Sequence, residues 1–258
     1  MAGHFDLSGI LRKVQAGEIS PAEAERLIGE TAVAHVGDVA NIDIERTKRC
    51  GMPEVVLAEG KDTEALVQIM HAFVQKTGRC VASRINEEQT KAVCAHLPEG
   101  IAAETRAGGI LILSNGTRPK PCGGVVGIIT AGTSDIRVAE EARAIAEEMG
   151  CSVLTSYDVG VAGIHRLFPA LERLEAADVV VVCAGREGTL PSVVAGLVNK
   201  PVIGVPVSTG YGYMGKGEAA LASMLQSCAV ITVVNIDAGF CAGAFAARTA
   251  ALIAEGRK

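Results

Sequence analysis

The 258-residue sequence is 49% apolar with a net charge of −5 and a pI near 5.6, which is enough chain for a sizeable core but lacks the basic excess of a nucleic-acid surface. No run approaches the ~18–20 apolar residues of a membrane span, and Asp6, Arg12, Lys13 and Glu18 break up the start of the chain, so neither a secretory leader nor a membrane anchor is expected. The expectation is a cytoplasmic protein with neither nucleic acid nor membrane as partner.

The chain begins with two short helical patterns. The second carries Ser20-Pro21-Ala22-Glu23: an N-cap Ser, Pro at the first helical position and Glu placed to close a capping box. Periodicity then fades from Thr31 to Met52, and the charged stretch Asn41–Arg49 reads as a solvated connection. From Pro53 the chain alternates. EVVLAEG is a strand, Asp62 or Thr63 caps a helix to about Lys76, CVASR is a strand, Asn86 caps a helix to about His96, and GILIL is a strand. These make a small βαβαβ domain over residues 1–115 with its leading helices. Residues 116–124, within the Pro- and Gly-rich SNGTRPKPCGG, form a linker.

Residues 125–258 give five further strand and helix pairs. Strands are expected at Val125–Thr130, Ser152–Ser156, Val179–Cys183, Val202–Val205 and Ile231–Val234, with helices starting near Asp135, Arg166, Pro191, Gly217 and Ala242. VVVVC is apolar throughout, as a parallel strand buried on both faces must be. Right-handed crossovers then give a five-stranded parallel sheet with helices on both faces, an α/β fold of three layers. Eight cysteines are spread widely with no CxxC or Cys/His cluster, so no structural zinc site is expected, and most should be small buried residues.

The loops after all five strands open on one edge of the sheet, where helix N-termini point free N–H groups at ligands. They read AGTSD, YDVGVAGIHR, AGREGT, STGYGYMGKG and NIDAGFCAG. Gly132, Thr133 and Ser134, before a helix capped by Ser134 or Asp135, offer N–H groups and hydroxyls to a phosphate. Arg186, Glu187, Gly188 and Thr189 sit where the third strand meets its helix. Asp158 and His165 frame the second loop. Ser208, Tyr211 and Lys216 lie in the fourth, where Tyr211 and Lys216 can meet a phosphate or adenine. Asn235 and Asp237 can orient a ligand hydroxyl or a metal-bound water. His35, His71 and His96 fall on helical or variable stretches as surface or packed residues. Cys228 follows an amphipathic helix and precedes the fifth strand, a usual place for a structural cysteine.

GTSD, AGREGTLP, KPVIGVPVS and the closing strand with its Gly-rich turn resemble the 5-carboxyaminoimidazole ribonucleotide mutase family, the AIR carboxylases of purine biosynthesis. Two departures stand out: Thr189 replaces that family's histidine, and DVGVAGIHR replaces its shorter AHR loop. Over the whole chain, GEISPAEAERLI, GMPEVVLAEGK, DVGVAGIHR, AGREGTLPSVVAGLV, GVPVSTGYG and LQSCA with VVNIDAGF resemble the LarB family of carboxylase-hydrolases, which begin nickel-pincer nucleotide cofactor synthesis. Here Asp43-Ile44-Glu45-Arg46 stands for that family's Asp-His-His-Arg, and the segment after Cys228 is shortened and lacks Pro-Gly.

These resemblances imply a flavodoxin-like αβα carboxylase domain behind a smaller N-terminal α/β domain, assembled as a homo-octamer. They also imply nicotinic acid adenine dinucleotide and carbon dioxide as substrates and AMP as one product. No tightly bound cofactor is expected; a divalent cation such as magnesium is a candidate for the phosphoanhydride step, with its ligands unassigned. Cys228 is implied as the nucleophile and Glu187 as the base. The substrate-binding set is Gly132, Thr133, Ser134, Asp135, Asp158, His165, Arg186, Gly188, Thr189, Ser208, Tyr211, Asn235 and Asp237.

Overall fold

A computed structural model describes residues 7–36, 40–43, 46 and 51–257. The chain divides into two compact units, one of the residues up to Thr105 with Leu111–Thr117, the other of Arg106–Ile110 with Arg118–Lys258.

In the first unit, helices α1 (Leu7–Gln15) and α2 (Pro21–Ala32) lead into an antiparallel hairpin of β1 (Val33–Val36) and β2 (Ala40–Asp43). The Ser20 hydroxyl accepts the Glu23 N–H at 3.1 Å, so half of the expected capping box forms. The Glu23 carboxylate turns instead to Arg26 at 2.6 Å, because an opposite charge one turn on the same face outcompetes a neutral N–H. The stretch expected as a connection therefore starts as a strand, and His35 lies in β1 opposite Asn41. Arg46 pairs with Glu54 at 2.8 Å. Ile44, Glu45 and Thr47–Cys50 lie outside the described residues.

The sheet that follows runs in the order β3 (Val55–Leu57), β4 (Arg79–Ser83), β6 (Ile110–Ser114), β5 (Ala102–Arg106). Between them lie α3 (Thr63–Thr77), capped by Asp62, and α4 (Glu87–Ala95), where Asn86 and Gln89 close a complete capping box. The βαβαβ expectation fails at its third strand. β5 was hidden by its polar, exposed sequence AAETR at the sheet edge. Gly108 and Gly109, both at positive φ, then turn the chain within three residues, too few for a parallel crossover. β6 consequently returns antiparallel to β4, with Cys80 opposite Leu113.

The second unit matches its expectation closely. Its sheet has the order β11 (Thr232–Val233), β10 (Val202–Pro206), β9 (Val179–Ala184), β7 (Val125–Thr130), β8 (Ser152–Ser156), with every pair parallel. This is a flavodoxin-like sheet, and its order reverses between β7 and β9. Helices α5 (Ile136–Glu148) and α9 (Gly239–Glu255) cover one face over Val126, Ile128, Val181 and Val205. Helices α6 (Leu167–Arg173), α7 (Leu190–Ala195) and α8 (Glu218–Leu225) cover the other over Ile129, Val180, Val182 and Val202. β9 lies between both cores with all six residues buried, which is why its sequence shows no alternation.

The apolar face of α9 is largely taken up within the chain, against α5, leaving Phe245 and Leu252 exposed. Of the seven described cysteines only Cys80, Cys151 and Cys183 are buried, and burial raises their thiol pKa values; Cys228 and Cys241 are exposed. The expectation of mostly buried cysteines fails because only Cys80 and Cys183 lie in strands, whereas the other five of the seven fall in helices or connections and of these only Cys151 is buried.

The α5–α9 contact depends on Gly243, where an added Cβ would stand 2.7 Å from the Cα of Ala142. Gly243→Ala is expected to lower stability by about 1–3 kcal/mol in urea denaturation. At the end of α7, a Cβ on Gly196 would make only ordinary contacts, 3.5 Å from the Val193 carbonyl oxygen and 3.7 Å from that of Ser192, and Gly196→Ala should change stability by no more than about 0.5 kcal/mol.

Candidate active site

A cleft of about 270 Å³ opens at the point where the strand order reverses, lined by residues of the loops after β7, β8, β9 and β10. Chains leave β7 and β9 for opposite faces of the sheet at this point, so no helix fills the space between them. From the expected set, Gly132, Ser134, Asp135, Arg186, Glu187, Gly188, Thr189 and Tyr211 line it.

Asp135 is 4% exposed. Its Oδ2 accepts the Gly132 N–H at 2.8 Å, its Oδ1 accepts the Thr209 hydroxyl at 3.3 Å, and the Gly185 N–H also donates to it. The side chain thus points back at Gly132 and leaves the first turn of α5 uncapped, contrary to the expected helix cap; a 3₁₀ turn, Thr133–Asp135, comes first. Burial raises the Asp135 pKa above its ordinary value, the three donors oppose this, and the charge of Asp237 adds to it.

Glycines set the close approaches. A Cβ on Gly185 would stand 2.8 Å from the Thr209 hydroxyl and 3.0 Å from the Asp135 carboxylate, and one on Gly160 would stand 2.7 Å from the Ala131 carbonyl. Gly188, at φ +69°, backs directly onto the start of α8 at Ala220. Arg186 and Glu187 are exposed at the mouth. The Arg186 guanidinium covers one face of Tyr211 at 4.0 Å, leaving an aromatic plate with one free face.

The remaining expected residues stand around the cleft or away from it. Asp158 is exposed and pairs with Arg166 at 2.8 Å, and its N–H donates to the Thr130 hydroxyl. His165 is exposed on the 3₁₀ turn Val161–Arg166; the same loop lines the cleft through Gly160, Val161 and Ala162. Asp237 accepts the Ser208 N–H at 2.9 Å and so ties the loops after β10 and β11. Asn235 folds onto the N–H of Ile236, and Thr133 is exposed beside the lining residues. Asp158, Lys216 and Asp237 all hold positive φ, a backbone strain that gathers at this edge. Cys183 lies below the cleft floor as a protonated thiol, its pKa raised by burial and then by Asp135, Glu141 and Asp237.

Cys228 lies elsewhere. It does not line the cleft but follows the C-terminal end of α8 and precedes β11, next to Ser227, whose hydroxyl accepts from the Ser192 hydroxyl in the first turn of α7 at 2.7 Å. Among the described residues, no group of three or more His, Cys, Asp or Glu side chains is placed to hold a metal ion, and no chemical step below is routed through one. Thr209 and Gly210, missed in the sequence, were signalled only by the Gly-rich loop around them.

The sign of the Asp135 shift gives a test. A carboxyl with a raised folded-state pKa binds its proton more tightly when folded, so its contribution to stability is present below the unfolded value of about 3.8 and lost as pH rises through the folded value. Asp135→Asn removes that dependence. The stability of wild type minus that of Asp135→Asn, from urea denaturation between pH 3.5 and about 7, should fall with rising pH; a flat difference would refute the assignment.

Two family models match the chain, AIR carboxylase over residues 125–257 and a LarB/PurE-like N-terminal domain over residues 33–114. An uncharacterised protein of Methanocaldococcus jannaschii is 42% identical over 250 aligned residues, covering 93% of this chain and 95% of that protein. The N5-carboxyaminoimidazole ribonucleotide mutase of the same organism is 38% identical over 117 residues, 43% of this chain and 69% of the mutase. The mutase of Thermotoga maritima is 37% identical over 90 residues, 33% of this chain and 50% of that enzyme. With both domain models matched in sequence order and a relative aligned over nearly its full length, this chain belongs to the LarB family, a LarB/PurE-like N-terminal domain followed by an AIR carboxylase domain.

Proposed function

We propose that the protein carboxylates carbon 5 of the pyridinium ring of nicotinic acid adenine dinucleotide and hydrolyses the phosphoanhydride, releasing pyridinium-3,5-biscarboxylic acid mononucleotide and AMP. The family is carboxylase- and mutase-like, and a carbon–carbon bond to carbon dioxide is the chemistry that kinship supports. The observation that carries this substrate over the purine one is Thr189 in the cleft wall. A threonine hydroxyl does not exchange protons near neutral pH, so it cannot replace the histidine on which a mutase proton shuttle depends.

A pyridinium is electron-poor and does not attack carbon dioxide. A thiolate adding at carbon 4 or 6 forms a C–S bond and pushes a ring electron pair onto nitrogen, which makes carbon 5 the nucleophilic end of an enamine. Carbon 5 then bonds to carbon dioxide. A carboxylate takes the carbon 5 proton, the enamine re-forms, and the thiolate leaves with the C–S electron pair as aromaticity returns. Cys228 supplies the thiolate and Glu187 the base. Water adds to phosphorus and breaks the P–O–P link, giving AMP. Arg186 and the free face of Tyr211 suit the adenine and phosphates, and the carboxylates of Asp135 and Glu187 suit the cationic ring. We place the enzyme in a homo-octamer, with any divalent cation carried on substrate phosphates.

Incubation with the dinucleotide and ¹³C-bicarbonate should yield AMP and a labelled dicarboxylate by mass spectrometry. Glu187→Gln should lower carboxylation by about 10²–10⁴-fold. Inertness towards the dinucleotide together with turnover of carboxyaminoimidazole ribonucleotides would overturn the reading in favour of the mutase.

A further inference from the structure

Two thiols meet outside the cleft. The sulfurs of Cys122 and Cys151, 29 positions apart in the chain, stand 3.3 Å from each other. Cys122 precedes β7 and Cys151 precedes β8, so the pair sits where two neighbouring parallel strands begin, whereas the cleft is built from the loops that follow them. Both cysteines belong to the second unit.

Backbone contacts fix this meeting. The Cys122 N–H donates to the Gly150 carbonyl at 2.9 Å, and the Ser152 N–H donates to the Gly124 carbonyl at 3.0 Å, so a hydrogen bond on either side of Cys151 holds segment 120–124 against the start of β8. A Cβ on Gly150 would stand 2.0 Å from the Lys120 carbonyl oxygen, and one on Gly124 would stand 2.6 Å from the Ala250 carbonyl carbon of α9; the segment is wedged between β8 and that helix. Cys151 is 7% exposed within the core, and Cys122 is half-buried against it. Burial first, then the Cys122 thiol, pushes the Cys151 pKa up to about 12, which leaves Cys122 as the thiol that meets reagents from solvent. A soft metal ion would need more donors than this pair, and among the described residues no third His, Cys, Asp or Glu completes such a group. A disulfide needs only that the sulfurs close by a further ~1.2 Å, to ~2.05 Å, which side-chain torsions can supply.

We propose that Cys122 and Cys151 form a redox site that takes a low-molecular-weight disulfide as its oxidant and closes into an intrachain disulfide. The Cys122 thiolate attacks one sulfur of the small disulfide; a new S–S bond forms, the old one breaks, and the departing thiolate takes up a proton. Cys151 then gives its proton to solvent, and its sulfur attacks the Cys122 sulfur and expels the second small thiolate, which is protonated in turn. The protein loses two electrons and two protons as two thiols become one disulfide, and the oxidant gains them as two small thiols. The loop so closed carries β7, Gly132–Asp135 and α5, and restricting that loop in the unfolded chain favours the folded state. The site makes no use of the cleft and assumes nothing about carboxylation.

The test equilibrates the full chain in buffers of varied reduced-to-oxidised glutathione ratio, quenches with acid, alkylates free thiols with N-ethylmaleimide and weighs the peptides. A peptide pair joined through Cys122 and Cys151 should appear as the ratio turns oxidising and vanish with dithiothreitol. The melting temperature should rise by about 5–10 °C on closure, and Cys122→Ser should abolish both changes. Cys151→Ala, which keeps the attacking thiol and removes the resolving one, should accumulate glutathione on Cys122. Wild type that keeps both thiols alkylatable in oxidised glutathione, stops at the mixed disulfide on Cys122, or joins either cysteine to a different one would overturn the site. So would a closed form that melts no higher than the open one.

Discussion

The cleft depends on one carboxylate. Asp135 accepts from the Gly132 N–H, the Gly185 N–H and the Thr209 hydroxyl, and so binds the loops after β7, β9 and β10 to a single buried anchor. Those strands lie side by side in the order β10, β9, β7, so the loops share an edge by topology but would separate without a common acceptor. The geometry also requires residues with no side chain at the crossing points, which is what Gly185 and Gly210 provide beside Asp135 and Thr209. The anchor works against its own charge, since burial disfavours the ionised carboxylate that the three donors require. Asp237 repeats the arrangement one strand further out, holding the loop after β10 through Ser208.

Much of this was legible in the sequence. A parallel sheet buried on both faces writes itself as apolar runs such as VVVVC and VIGV, and the second unit's strands fall within a residue or two of their expected ends. The first unit was less legible. β5 is polar because it lies at an edge, and nothing in AAETR separates an edge strand from a loop; once it is missed, the direction of β6 is lost too. Within the site, the sequence identified which loops matter better than which residues. AGREGT lines the cleft nearly throughout, yet His165, the conspicuous residue of its loop, faces solvent while its plain neighbours Gly160, Val161 and Ala162 form the wall. Side-chain chemistry catches the eye in a sequence, but the wall of this cleft is built largely from backbone and small groups.

The reversal of strand order between β7 and β9 also bears on how such a protein changes over time. The cleft exists because chains diverge from the sheet there, and its walls are kept apart by backbone and glycine, so the side chains at its mouth carry none of the core's packing. Arg186, Glu187 and Thr189 can be exchanged without repacking a strand or a helix. A change at position 189, in the cleft wall, is then written on an unchanged frame, and a new reaction can arise from such a scaffold by few substitutions, none of which first has to pass through an unstable fold.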